Sequence, residues 1–281
     1  MMKLSTGIED VTVPADREAF GMVVYSSAGQ SRVLPAAVVL DVAPARPAAP
    51  LPFAPTALEG LVETDGRLAP QWDLPQAMGG AARAGRCSIL IATTRGPIRV
   101  RVDAVSVVGF SLGGLLAAWI AQHERVERVI AIAPFLGIAG IPQRLTPALV
   151  RLLRARRNRF LWWDPLRRER MLPARGYPRY ATHAIATSLT LAGELAALAV
   201  EAASRSPITL VANDAESAVN NGAIRRLAAA WRAHGSTDVT LHRLSGVGPS
   251  HDIIEFEARR ATIERSYPAL LALLDALCAD R

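Results

Sequence analysis

Hydrophobic and polar positions along this chain follow two different periods, and the change comes near residue 105. Before it lie short apolar runs at residues 20–25, 36–42, 88–93 and 98–105, separated by Gly, Pro and Ser. Their length, and turn chemistry such as Ser26-Ser27-Ala28-Gly29 and Arg95-Gly96-Pro97 between them, predict strands. No amphipathic stripe of helical period stands out before residue 105, so the first part reads as all-β. Beyond it, strand-length segments at 105–108, 126–133, 208–212 and 239–244 alternate with helical segments at 112–123, 184–204, 222–234 and 258–279, the last broken near Pro268. Strand and helix in turn predict a parallel sheet with crossover helices, the α/β class. Residues 137–180, rich in Pro, Arg and Trp, do not fit that alternation; such an excursion between sheet strands predicts a cap over a site.

The junction carries Gly109-Phe110-Ser111-Leu112-Gly113, followed by Gly114. VSVV before it and LLAAWIA after it make the context strand, turn and helix. A strand that turns at once into a helix forces its corner residue into a strained backbone conformation, with glycines giving room on either side. Ser111 then projects above the strand ends, and the Leu112 amide at the start of the helix faces the same space and can bind a developing oxyanion.

A serine hydroxyl attacks only when a base takes its proton and an acid orients that base. The strand at 208–212 runs into Asn213-Asp214-Ala215-Glu216, which offers two carboxylates. Gly248-Pro249-Ser250-His251-Asp252 follows the last strand and precedes the last helix. Of the five histidines, His251 alone stands in a loop after the last strand. His123 and His234 end helices, His242 lies within a strand and His183 in the cap, where structural roles suffice. The order Ser, acid, His suits a triad, with Asp214 and Glu216 both open as its acid.

Composition narrows the picture. With 51% hydrophobic and 20% charged residues the chain is that of a soluble globular protein with a real core. Two cysteines, Cys87 and Cys278, make no disulfide framework and point to a reducing compartment, the cytoplasm. The N-terminus shows no apolar core of a signal peptide. Residues 104–122 are uncharged, yet their Ser and Gly content and β-branched start read as a buried strand turning into a buried helix, so no membrane span is expected. The net charge is +7, and every basic side chain except Lys3 is arginine. Arg151, Arg154, Arg156, Arg157 and Arg159, then Arg167, Arg168 and Arg170, form a cluster that could meet phosphates. No nucleic-acid motif accompanies it, and a solvated face over Trp162 and Trp163 is the preferred reading. No metal-ligand spacing occurs, and the glycines at 109–114 lack the Lys-Ser/Thr of a P-loop, so neither metal nor cofactor is expected.

The blocks VSVVGFSLGGLLAAWIAQ, VIAIAPFLGI, NRFLWWDP, GYPRYATHAIATSL, ANDAESAVNN and SHDII, in that order, resemble a bacterial α/β-hydrolase of the esterase/lipase-like kind over residues 105–281, with a helical cap at about 137–183. The resemblance implies hydrolysis of a small carboxylic ester with Ser111 as nucleophile and His251 as general base. The family pattern places its acid three residues before the Val of a Val-Asn-Asn block, a position held here by Glu216, with Asp214 the rival. The family also begins with several strands and a helix and carries a His-Gly-type loop with a second oxyanion amide, neither of which the sequence shows. Residues 18–107 resemble instead the chemotaxis coupling protein CheW, through FGMVVYSSAGQSRVLPAAVVLDV, LPFAPTALEGLVETDGRLAPQWDL and SILIATTRGPIRVRVDAVSVV. That family folds as small SH3-like β-barrels linking receptors to a histidine kinase, so a kinase or receptor partner is implied; its turn at Asp65-Gly66 usually has Arg where this chain is acidic. The expected organisation is therefore a β region at 1–104 and an incomplete α/β-hydrolase sheet at 105–281. Missing flanking strands would leave an apolar sheet edge, which invites coverage by the β region or self-association into a homo-oligomer.

Overall fold

The computed structural model describes residues 21–27, 30–35, 38–64, 66–81, 85–162, 179–236, 238–251, 253–254 and 260–279. Lys3, Asp65, Trp163, Arg167, Arg168, Arg170, Asp252 and the middle of the expected cap lie outside them. The chain divides into two compact units, residues 1–108 with 126–128, and residues 109–125 with 129–281.

In the first unit, β1 (Gly21–Ser27) and β2 (Gln30–Pro35) form an antiparallel hairpin. Its ladder runs on to Ser27 opposite Gln30, so Ser26 and Ser27 belong to the strand and not to the turn expected there. Strands β3 (Val39–Pro44), β4 (Leu58–Thr64), β5 (Arg67–Asp73), β6 (Cys87–Ile91) and β7 (Ile98–Val102) build a second sheet, ordered β3-β6-β7-β5-β4. All its pairings are antiparallel except β5 with β7. One helical turn, α1 (Leu74–Ala77), follows β5, with the Asp73 carboxylate accepting from the Gln76 amide at 3.2 Å. A bend at Asp103 divides the apolar run at 98–105 into the end of β7 and the start of β8 (Ala104–Phe110).

Val23, Tyr25, Leu34, Leu74, Ile89, Val100 and Val105 share one core in this unit. Alternation along β7 sends Val100 and Val102 into the interior and turns Arg99 to the other face, where it is nonetheless buried. A buried guanidinium is costly where its donors go unmet. Arg99 Nη1 donates to Ser88 Oγ at 2.8 Å, and Nη2 donates to Asp41 Oδ2 at 2.7 Å and to Thr64 Oγ1 at 3.1 Å, while Nε has no partner among the described residues.

The second unit begins as β8 turns into α2 (Leu112–His123). There follow β9 (Arg128–Ile132), α3 (Thr146–Ala155), β10 (Phe160–Trp162), β11 (Arg179–Ala181), α4 (Thr182–Glu201), β12 (Ile208–Asn213), α5 (Asn221–Ala233), β13 (Val239–Leu244) and α6 (Arg260–Ala279). Strand β12 is parallel to both neighbours, β9 and β13, and every one of its residues is buried, as an uninterrupted apolar strand between covered faces should be. The unit is α/β, as the alternation predicts.

Within residues 137–180, where a helical cap is expected, Thr146, Leu149, Val150 and Leu153 make the inward stripe of α3, and β10 and β11 form an antiparallel pair. Helix α6 runs through Pro268 unbroken: the proline sits on the exposed side, where water can satisfy the carbonyl that loses its partner. Finally, α4 is long and apolar enough by length and composition to cross a membrane, with mean hydropathy 1.4 over its best window. Its residues Ala186, Leu189, Ala192, Leu195 and Ala199 are buried at helical spacing, and it packs against α2 and α5.

Candidate active site

Ser111 stands at the corner between β8 and α2 with φ 54° and ψ −113°, a region that side chains other than glycine rarely enter. The corner is pinned on both sides. The Ser111 amide donates to the Ile132 carbonyl at 2.9 Å, and the Ser111 carbonyl accepts from Phe135 at 2.9 Å and Leu115 at 3.0 Å. The flanking glycines are there for space. A Cβ on Gly109 would lie 2.0 Å from the Gly113 carbonyl oxygen, and one on Gly114 2.9 Å from Pro134 Cα. Leu112 is the first residue of α2, so its amide has no acceptor within the helix.

His251 Nε2 lies 2.7 Å from Ser111 Oγ, and its Nδ1 lies 3.0 Å from Glu216 Oε2. With the proton on Nδ1 donated to Glu216, Nε2 is free to accept the serine proton. The Glu216 side chain is fully covered, and its other oxygen accepts from the Ala218 amide at 2.8 Å. His251 keeps one edge open, at 20% exposure, and its ring stacks on Phe110 with centroids 4.9 Å apart. The geometry brings Ser111, His251 and Glu216 together. Asp214 goes elsewhere, accepting from Arg243 Nε at 2.8 Å, a bond that raises the arginine above its ordinary pKa.

Several residues that sequence reasoning did not single out shape the loops around this chain of hydrogen bonds. Asn213, at the buried end of β12, donates from Nδ2 to the Gly248 carbonyl at 2.8 Å and to the Ser250 carbonyl at 3.3 Å. Asn221 Nδ2 donates to the Asn213 carbonyl at 2.6 Å, and Ser217 Oγ to the Pro249 carbonyl at 2.6 Å. On the far side, the Ile253 amide donates to the His251 carbonyl at 2.8 Å, and Ser266 Oγ, fully buried in α6, donates to the Ile253 carbonyl at 2.6 Å. The signal that could have found Asn213 is its place: an amide at the last position of an otherwise apolar strand.

The other histidines are held structurally. His123 stacks on Trp119 and bonds its carbonyl at 2.9 Å, and His183 Nε2 contacts the Arg156 carbonyl at 2.9 Å. His234 caps α5, and His242 lies in β13. Ser106 is buried within β8. Of the arginine cluster, Arg151, Arg154, Arg156, Arg157 and Arg159 are exposed. Among the described residues no group of His, Cys, Asp and Glu could hold a metal ion.

No protein-family model matches the chain, nor does any curated protein at a significant score. Among solved structures it is similar to a monoacylglycerol lipase of Paleococcus ferrophilus, at 20% identity and a TM-score of 0.42, covering 60% of this chain and 67% of that one. A monoglyceride lipase of Saccharomyces cerevisiae is similar at 13% identity and a TM-score of 0.44, over 60% of this chain and 61% of the lipase. The scaffolding protein TtCheW of Thermoanaerobacter tengcongensis is similar at 24% identity and a TM-score of 0.30, over 31% of this chain and 62% of that one. The chain thus spans about three fifths to two thirds of the length of these proteins. All three scores fall below 0.5, so the site must be read from its own geometry.

Proposed function

We propose that residues 105–281 are a serine hydrolase of small carboxylic esters, with residues 137–183 as its cap, and that they need neither metal nor cofactor. The observation that carries this reading is the unbroken hydrogen-bond line from Ser111 through His251 to Glu216, set at a strained corner. In the proposed reaction Ser111 Oγ attacks the ester carbonyl carbon while its proton passes to His251 Nε2. The carbonyl π electrons move to oxygen, and the Leu112 amide stabilises that oxyanion. Collapse expels the alkoxide, which takes the proton from His251 and leaves as alcohol. Water then attacks the acyl-serine, giving its proton to His251, and collapse returns that proton to Ser111 and frees the carboxylic acid. Glu216 stays ionised throughout and stabilises the imidazolium. Lack of the second amide that the family's His-Gly-type loop supplies would slow turnover about a hundred- to a thousandfold.

Labelling by a fluorophosphonate tests this. The wild type labels, Ser111→Ala does not, and Ser106→Ala labels as the wild type does. Equal labelling of wild type and Ser111→Ala removes the nucleophile assignment.

A second reading concerns residues 1–104 as a CheW-like adaptor, favoured by a β unit that has its own core and its own buried arginine network. The full chain would then be retained by an immobilised chemotaxis histidine kinase, and Arg99→Ala would abolish retention. Failure of the folded chain to bind the kinase leaves the hydrolase reading alone.

A further inference from the structure

Away from Ser111, a cleft of about 490 Å³ opens between residues 140–144 and the first turns of α5. We propose that it binds a small phosphoryl-bearing anion, a function independent of whether Ser111 acts as a nucleophile. Two arginines, Arg144 and Arg226, line it, and among the described residues no carboxylate does. The sequence carries no acidic residue between Glu127 and Asp164, on either side of Arg144. Among the described residues neither guanidinium has an ion-pair partner; Arg226 Nη2 reaches only Gln143 Oε1, at 3.5 Å.

The walls of the cleft are fixed. Asn220 Nδ2 donates to the Ile141 carbonyl at 3.0 Å while its Oδ1 accepts from the Ala223 amide at 3.1 Å. The Asn220 amide donates to the Gly137 carbonyl and the Ala139 amide to the Ala218 carbonyl, both at 2.9 Å, around a bridge between Ile138 and Val219. Two like charges brought to one cavity repel, and an anion between them turns that repulsion into attraction. Guanidinium forks offer paired N–H donors, which match the several oxygens of a phosphoryl group better than a single point charge could.

Calorimetry of the full chain at low ionic strength tests the site with inorganic phosphate, glycerol 3-phosphate and succinate. One-site, saturable binding of a phosphoryl compound is expected, tighter for phosphate if the free ion is the ligand and tighter for glycerol 3-phosphate if a phosphorylated metabolite is. Arg226→Ala and Arg144→Ala each weaken it tenfold or more. Arg225→Ala, an exposed neighbour outside the cleft that removes the same charge, leaves it unchanged. All three arginines are exposed, so the variants keep the fold, which their melting temperatures check. No saturation, equal weakening by Arg225→Ala through the general field of a +7 chain, or succinate binding as tightly as the phosphoryl compounds would each overturn the proposal.

Discussion

Glu216 and Asp214 lie two residues apart on one loop, and nothing in their chemistry distinguishes them before the chain is folded. Their surroundings do. Glu216 has no exposed surface and meets His251, whereas Asp214 faces Arg243, itself mostly exposed, across the start of the same loop. A longer side chain at 216 covers the distance that a shorter one at 214 would have had to. Replacing Glu216 by Gln should therefore cost about a thousand- to ten-thousandfold in ester turnover, by removing the group that holds the imidazole in its working tautomer. Replacing Asp214 by Asn should change turnover by less than about twofold, since an exposed ion pair contributes little. Steady-state kinetics of the two variants against a chromogenic ester decides between the two acids. The places of Ser111 and His251 were legible in the sequence because their motifs fix where they stand. For the acid the residues alone left both carboxylates open, and only the resemblance favoured Glu216, the one that meets His251.

Among the elements, those with an uninterrupted apolar run were the easiest to read. Helix α2 begins and ends where its pattern says, and β13 does likewise. Strands β4 and β5 are hard to read because polar residues and a proline interrupt them: Glu59 and Glu63 in β4, and in β5 Pro70 on one face and the buried Gln71 and Asp73 on the other. The elbow depends most on tight packing of backbone against backbone. Gly109→Ala would set a methyl 2.0 Å from a carbonyl oxygen, and should destabilise the second unit by about 3 kcal/mol, read by urea unfolding. The loop carrying His251 depends on Asn213 instead. Asn213→Ala leaves two carbonyls without their donor and lets the imidazole drift, which should lower kcat about ten- to a hundredfold with little change in KM.

For the molecule as a whole, a buried tyrosine and a half-buried cysteine in the first unit set an alkaline limit. Burial pushes the Tyr25 hydroxyl above its ordinary 10.0, with Arg32 offsetting part of the effect, and burial, then Glu127, pushes the Cys87 thiol above its ordinary 9.0. Both groups are neutral when protonated and are held so by the fold. The stability they contribute is complete below the ordinary values and is lost as pH rises through the elevated ones. Unfolding midpoints should thus fall as pH rises above 9.0, and Tyr25→Phe should flatten the part of that decline above 10.0. The division of the chain near residue 105 was legible because the hydrophobic period changes there. The double reading of VSVV, which belongs to both resemblances, was legible too, and β8 starts at that point with Val105 in the first unit's core. The strained corner at Ser111 bears on endurance as well as chemistry. Its backbone conformation costs on the order of 1–3 kcal/mol that glycine would not incur. Ser111→Gly should consequently melt several degrees above Ser111→Ala, both having lost the same hydroxyl. The chain thus carries a standing cost at this corner, which a glycine there would remove.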